Sequence, residues 1–208
     1  MKKIKIILFL LISMYAYGTN KEKEVKQIVE FRNPALIDID SSGKKPGFNA
    51  ELEKYLNEMG RDTKFIFVLG NEYFLLGKYE KAFKVFSKGT SYLPNLFGAA
   101  TTARLMGNYQ VAVEYYDRMI DGNSGMDEAF LGRGLAHRGL KNYGLAVSDL
   151  TRYLGIKRDE RAYLGIGGIL IETEDYEGAL NILQRGRAAF PSSREISNML
   201  SKVAAKMN

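Results

Sequence analysis

The sequence contains no cysteine among its 208 residues. Disulfide bonds, thiolate metal sites, a cysteine nucleophile and covalent haem attachment are therefore excluded. Histidine is nearly absent as well, because His137 is the only one, so a metal site or catalytic base there would lack a second histidine or cysteine. The chain has only four prolines and is 46% hydrophobic and 26% charged. This composition indicates an ordinary folded domain rather than a disordered or collagen-like chain.

Acidic residues are absent from the first eighteen residues, MKKIKIILFLLISMYAYG. Three lysines precede an apolar run at residues 6–14, and a small-x-small pattern follows at residues 16–18. This order predicts a signal peptide over residues 1–18 with cleavage after Gly18. The apolar run is shorter than the roughly 20 residues of a membrane span, so we expect membrane contact only through this segment if it stays uncleaved. We therefore expect an exported protein, either periplasmic or secreted.

The positive charge of the chain is partly due to this leader. Removing its three lysines lowers the net charge from +6 to +3, with 27 basic residues against 24 acidic ones. A charge so small and so evenly mixed argues against a nucleic-acid partner.

Four segments share the same residues at the same spacing. Each has a tyrosine, an alanine three residues after it, a large apolar residue four further on, and a small residue nine before it. In chain order these are Tyr79, Tyr109, Tyr143 and Tyr176; Ala82, Ala112, Ala146 and Ala179; Phe86, Tyr116, Leu150 and Leu183; and Gly70, Ala100, Gly134 and Gly167. Successive tyrosines are 30, 34 and 33 residues apart. Four matching positions in four copies predict a repeat array.

Helical periodicity lies on both sides of each tyrosine, which predicts an antiparallel pair of helices in every repeat. The small residue and the alanine allow the two helices to approach closely. The large apolar residue is then expected to fill the space toward the next pair. Gly77 and Gly107 suit the left-handed position that ends a helix, and we expect Asn142 and Asp175 to take that position in the last two repeats.

This pattern resembles the tetratricopeptide repeat, a helix-turn-helix unit of about 34 residues. The first copy matches through Leu69, Gly70, Tyr73, Gly77, Tyr79, Ala82, Phe86 and Pro94. The resemblance implies an all-α fold, a right-handed superhelix of antiparallel helical hairpins. It also implies a concave groove that binds peptides or protein segments.

The predicted organisation has four parts. Residues 1–18 are the signal peptide, and residues 19–62 form an N-terminal segment with a short helix over 49–59. Four repeats follow at about 63–92, 93–126, 127–159 and 160–193. A capping helix over 192–208 ends the array, with Ser192 and Glu195 as a capping box. Its apolar stripe consists of Ile196, Met199, Leu200, Val203, Ala204 and Met207.

In the family the first helix of each hairpin lines the groove. The register then gives the partner-binding residues Phe67, Asn71, Phe74, Phe97, Thr101, Arg104, Leu131, Leu135, Arg138, Leu164, Gly168 and Ile171. Arg104 and Arg138 are 34 residues apart, so we expect them side by side, where arginine suits carboxylate recognition. We expect Phe97, Arg104, Leu131 and Arg138 to carry most of the binding. The alternative is that residues 19–59 occupy the groove.

Some members of the family hold a chaperone's C-terminal carboxylate with a clamp of Lys, Asn and Arg side chains. When the clamp residues are aligned starting from the first repeat, only Asn71 matches them. When they are aligned starting from the second repeat, only Arg161 does. The resemblance therefore does not imply that activity.

No catalytic arrangement is apparent, and we expect no catalytic residue, metal or cofactor. The run from Asp38 begins like a calcium loop, but Asn49 stands where a bidentate glutamate is needed. The glycines at 132–134 and 165–168 lie in predicted helices rather than in phosphate-binding loops, and His137 is expected to pack in the core. We expect a non-enzymatic scaffold that binds a protein or peptide. The alternative is a structural or assembly component of the bacterial cell envelope, held by its N-terminal segment.

Overall fold

The computed structural model describes residues 62–122 and 125–207, and all regular structure within these ranges is helical. The helices are α1 (Thr63–Leu75), α2 (Tyr79–Phe86), a 3-10 turn (Ser87–Gly89), α3 (Leu93–Leu105), α4 (Tyr109–Asp121), α5 (Glu128–Gly139), α6 (Tyr143–Ile156), α7 (Glu160–Glu172), α8 (Tyr176–Ala189) and α9 (Arg194–Met207). None of the described helices is long and apolar enough to cross a membrane.

The predicted signal peptide, the short helix over 49–59 and the calcium-like run lie outside the described residues. The chain forms two compact units, of which the first ends at Met106 and the second begins at Gly107. The first unit therefore contains α1 to α3, and the second contains α4 to α9.

Helix α1 contains a continuous, largely apolar run, and every residue from Phe65 to Gly70 is buried. Such a helix is stable only when it is enclosed, and α2 and α3 both pack against it. The ring of Phe86 fills the crossing, because a Cβ atom at Gly70 would lie 2.6 Å from it and one at Gly98 of α3 would lie 2.8 Å from it. The small and large residues of the repeat are therefore in direct contact in the first unit.

Asn95 ties α3 to the rest of the first unit. Its side chain is fully buried, and its Nδ2 donates to the carbonyl oxygens of Thr63 at 2.7 Å and Gly89 at 3.1 Å. Since a buried amide is costly unless it is hydrogen-bonded, these two bonds fix the start of α3 against α1 and the 3-10 turn.

The second unit repeats the same packing. Helices α5 and α6 pair, α7 and α8 pair, and each helix from α4 onward also packs against the next. A Cβ atom at Gly134 would lie 2.9 Å from Leu150, and one at Gly167 would lie 2.7 Å from Leu183. Leu150 also reaches Gly165, at 2.9 Å from its Cβ position. The prediction that the large apolar residue fills the space toward the next hairpin is confirmed.

The prediction for the left-handed turn position in the last two repeats is wrong. Lys141 and Glu174 have φ angles of 60° and 61°, whereas Asn142 and Asp175 have φ angles of −79° and −80° and begin the next helix. Lys141 and Glu174 stand two residues before the repeat tyrosine, as Gly77 does. Asp175 acts instead as an N-cap, because its carboxylate accepts the backbone N–H of Gly178 at 2.9 Å.

The cap of α9 is Ser193, one residue later than predicted. Its Oγ accepts the backbone N–H of Ile196 at 3.0 Å, and its hydroxyl hydrogen-bonds the carboxylate of Glu160. Of the predicted apolar stripe, Ile196 and Val203 are fully buried and Met207 is 46% exposed.

Candidate interaction surface

The first helices of the last two hairpins lie side by side in the second unit. Helices α5 and α7 are in contact, and the guanidinium of Arg138 lies over Gly168, where a Cβ atom would be 2.6 Å away. Leu135 reaches α7 as well, at 3.4 Å from the Cβ position of Gly165. Predicted groove residues from both helices are therefore brought together. We call this set the α5–α7 face: Leu131, Leu135, Arg138, Leu164, Gly168 and Ile171.

The α5–α7 face is mostly apolar. Leu131 is buried with 3% of its surface exposed, while Leu135, Leu164 and Ile171 are half-buried and pack against the core of the second unit. The inner sides of these residues contribute to folding, and their outer sides are open to contact.

Arg138 is engaged within the chain. Its guanidinium forms an ion pair with Glu172 at the end of α7, with its Nε donating at 3.2 Å. Partial burial raises the pKa of Glu172, but the hydrogen bonds and charge of Arg138 outweigh it, so the pKa lies below its usual value. Sequence reasoning missed this pair, although the two residues are 34 positions apart, one repeat length, and that spacing was a usable signal.

Ion pairs also stand at the opposite end of the α5–α7 face. Lys157 donates to Glu128 at 3.0 Å. Arg161 donates to Asp159 through its Nε at 2.9 Å and its Nη2 at 2.5 Å. Burial raises the pKa of Asp159, but the bonds and charge of Arg161 prevail and hold it below the usual range.

The predicted groove residues of the first unit are mainly buried. Phe67, Phe74 and Phe97 expose 3%, 0% and 6% of their surfaces, and Phe67 packs edge-on against Tyr92 with 6.2 Å between ring centroids. Thr101 is also buried, at 4%. In this structure the three rings serve the packing of their own unit, and their contact with a partner stays a prediction.

Two polar groove residues of the first unit have a buried atom without a hydrogen-bond partner in the described part of the chain. These atoms are Oδ1 of Asn71 and Nε of Arg104. Arg104 belongs to the first unit and Arg138 to the second, so their predicted side-by-side placement stays a prediction.

A second ionic network links α4, α5 and α6. Arg133 donates to both carboxylate oxygens of Asp149 at 2.8 Å and to Asp117 at 2.7 Å. The hydrogen bond to Asp149 is the main reason that the pKa of Arg133 is raised. Each partner is 16 residues from Arg133, which is not a repeat length, so no pattern in the sequence signalled this network.

His137 lies one helical turn beyond Arg133 and is 9% exposed. Burial lowers its pKa, and its Nδ1 has no hydrogen-bond partner among the described residues. Within 62–122 and 125–207, no group of three or more histidine, aspartate or glutamate side chains could hold a metal ion.

Comparison with family models identifies the repeats that form these hairpins. One tetratricopeptide repeat model matches residues 97–162, and a second matches residues 63–96. Residues 63–162 carry tetratricopeptide repeats. The predicted resemblance is confirmed over this part of the chain.

Solved structures extend the tetratricopeptide likeness to most of the chain. A tetratricopeptide repeat protein from Parabacteroides merdae ATCC 43184 is 18% identical with a TM-score of 0.65, and the match covers 89% of this chain and 74% of that one. MamA from Desulfovibrio magneticus RS-1 is 17% identical with a TM-score of 0.61, covering 85% and 98%. The first TPR of Spaghetti (RPAP3), bound to the HSP90 peptide SRMEEVD, is 21% identical with a TM-score of 0.51, covering 54% and 90%. The predicted all-α, solenoid-type fold is therefore confirmed.

Proposed function

We propose that this protein is a non-enzymatic scaffold that binds a peptide or protein segment along the first helices of its tetratricopeptide repeats. The observation that carries the proposal is the α5–α7 face. Two consecutive first helices place half-buried Leu135, Leu164 and Ile171 on one side. Apolar side chains in such a shallow row suit a partner's apolar anchors, since a few buried anchors dominate binding energy.

The Spaghetti (RPAP3) structure, with its bound HSP90 peptide, supports peptide binding as a use of this fold. Its partner is not carried over to this chain. When the carboxylate clamp is aligned starting from the first repeat, only Asn71 matches it. The other clamp positions are occupied by Phe67, Gly98, Glu128 and Gly132.

Site-specific photo-crosslinking in cells tests the proposal. A benzoyl-phenylalanine residue placed at Leu135 or Ile171 is expected to crosslink to a partner protein that mass spectrometry identifies. The matched control is Leu145 of α6, which is 56% exposed and lies outside the α5–α7 face. Equal crosslinking from Leu145 would contradict the proposal, provided that circular dichroism shows all three proteins to be folded.

The predicted contribution of the arginines is tested by the double variant Arg104→Glu, Arg138→Glu. Reversing both charges is expected to reduce recovery of the crosslinked partner, because Arg138→Glu removes the ion pair with Glu172 and leaves two like charges at one end of the α5–α7 face. Unchanged recovery by a folded double variant would show that binding does not depend on these residues.

We also propose that the chain is exported, either to the periplasm or beyond the cell. Support comes from residues 1–18, which have the charge and hydrophobic pattern of a signal peptide. Mass spectrometry of the mature protein is expected to find Thr19 at its N-terminus, and retention of residues 1–18 would contradict cleavage. Loss of partners on deleting residues 21–60, but not on changing the α5–α7 face, would favour the alternative of an envelope component held by its N-terminal segment.

A further inference from the structure

Ionised side chains stand at both ends of the α5–α7 face. On α5, Glu128 lies one turn before Leu131 and Arg138 lies at the other end, and on α7, Arg161 and Glu172 take the corresponding places. Residues three, seven and ten positions apart share one side of a helix. A segment bound along this face therefore meets these charges as well as the leucines.

Each of the four charges is already neutralised within the chain. The pairs are Arg138 with Glu172, Lys157 with Glu128 at 3.0 Å, and Arg161 with Asp159 at 2.5 Å. The face thus presents apolar side chains in its middle and internally matched charges at its ends.

An acidic partner gains little on such a surface. To reach Arg138, its carboxylate must displace Glu172, which exchanges one charge-assisted hydrogen bond for another of the same kind. The displaced Glu172 then lies beside the incoming charge and repels it. A neutral aliphatic segment makes no such exchange, and it removes the half-buried Leu135, Leu164 and Ile171 from water.

We propose that the α5–α7 face binds a neutral, aliphatic segment of a partner protein, and that Glu172 excludes acidic segments by occupying Arg138. This inference rests on the proposed scaffold function and specifies the chemistry of its partner. Charge complementarity carries it, because a face whose own charges are matched is complementary to a segment without net charge.

Two pools of short synthetic peptides test the inference by biolayer interferometry with the full-length chain. One pool is randomised over Leu, Ile, Val, Ala, Ser and Gln, and the other has the same composition with Glu replacing Gln. The wild-type protein is expected to bind the neutral pool about tenfold more tightly than the acidic one. Its binding is expected to change little with added salt, since screening acts on charges.

Three variants locate the preference on the face. Glu172→Gln frees Arg138 and is expected to strengthen binding of the acidic pool about tenfold. Leu135→Ser is expected to weaken binding of the neutral pool, whereas Leu145→Ser, on the exposed side of α6, leaves both pools unchanged. Circular dichroism confirms that each variant is folded, and Leu164→Ser replaces Leu135→Ser if the latter unfolds.

The outcomes separate this inference from the proposed function. A wild-type preference for the acidic pool, or no gain by Glu172→Gln, overturns the inference while the scaffold function stands. Failure to bind either pool also overturns it, and the crosslink from Leu135 then decides whether the scaffold function survives.

Discussion

Two residues in the second unit hold a left-handed backbone without being glycine. Lys141 and Glu174 have φ angles of 60° and 61°, in a region that costs an ordinary residue roughly 1–2 kcal/mol. Glu174→Gly is therefore expected to raise the free energy of unfolding by about 0.5–1 kcal/mol, even after the extra entropy of glycine in the unfolded chain. Urea unfolding measures the change.

The matched control for Glu174→Gly is Glu177→Gly, three residues later and inside α8. Glu177 stands in the first turn of α8, and the same substitution there should lower the stability by about 0.5–1 kcal/mol, because it removes an acidic side chain from the helix N-terminus and glycine is a poor helix former. If both variants lost stability, the left-handed turn would not be a source of strain.

His137 makes the stability of the second unit depend on pH near neutrality. Burial lowers the pKa of His137, so the unfolded chain binds a proton more readily than the folded one between that pKa and about 6.5. Asp117 on α4 and Asp149 on α6 favour the charged form, and Arg133 on α5 opposes it. Stability is therefore expected to fall as the pH is lowered from 7.5 to 5.5, by at most about 1.4 kcal/mol per pH unit.

Thermal unfolding of the wild type and of His137→Gln at several pH values measures this effect. Because His137 is the only histidine, the variant should lose most of the pH dependence between pH 5.5 and 7.5. Identical slopes for the two proteins would mean that burial of His137 does not control its titration.

At the scale of the helix pair, the crossing of α5 and α6 depends on small residues. Ala146 is fully buried, and its carbonyl oxygen lies 3.1 Å from the Cβ position of Gly134. Ala146→Leu is expected to overpack this crossing and lower the free energy of unfolding by about 1–3 kcal/mol. Ala188→Leu, at an exposed position of α8, is the control and should change stability by less than about 0.5 kcal/mol. Equal melting temperatures for the wild type and Ala146→Leu would contradict the close packing of α5 against α6.

The helix pairs were predictable because their contacts recur. Gly134 against Leu150 repeats as Gly167 against Leu183, so spacing alone identified both contacts. The Arg133 network occurs in one place, and its carboxylates had no counterpart in other repeats to reveal them. Residue type predicted the wrong turn residues, because the left-handed position is fixed by its distance from the repeat tyrosine and is held by Lys141 and Glu174.

For the predicted groove residues, the repeat register predicted where each residue lies along its helix but not its pairing or its burial. It placed Leu135 and Gly168 at equivalent positions of successive hairpins, and the helices that carry them, α5 and α7, are in contact. It did not predict that Arg138 is paired with Glu172, because pairing depends on side-chain reach as well as on register. It also did not predict the burial of Phe67 and Phe74, which depends on packing around each helix rather than on its outward face.

At the scale of the whole molecule, each repeat of an array contacts only its neighbours, so the stability of one repeat depends on its interface with the next. In the second unit α9 packs on α7 and α8, with Ile196 and Val203 fully buried and Arg194 and Lys202 exposed on its other side. Helix α9 therefore covers apolar surface of the last hairpin and presents polar side chains outward, as a capping helix does.

This arrangement predicts how damage to the cap spreads through the second unit. Ile196→Ala leaves a cavity beneath α9 and is expected to cost about 2–5 kcal/mol. Since coupling passes between neighbouring helices, protection from hydrogen exchange should fall most in α8 and α9, less in α7 and least in α4. Ser201→Ala, on the exposed side of α9, is the control and should leave protection unchanged. A uniform loss of protection from α4 to α9 would show instead that the second unit unfolds as one cooperative block, without the graded coupling expected of stacked repeats.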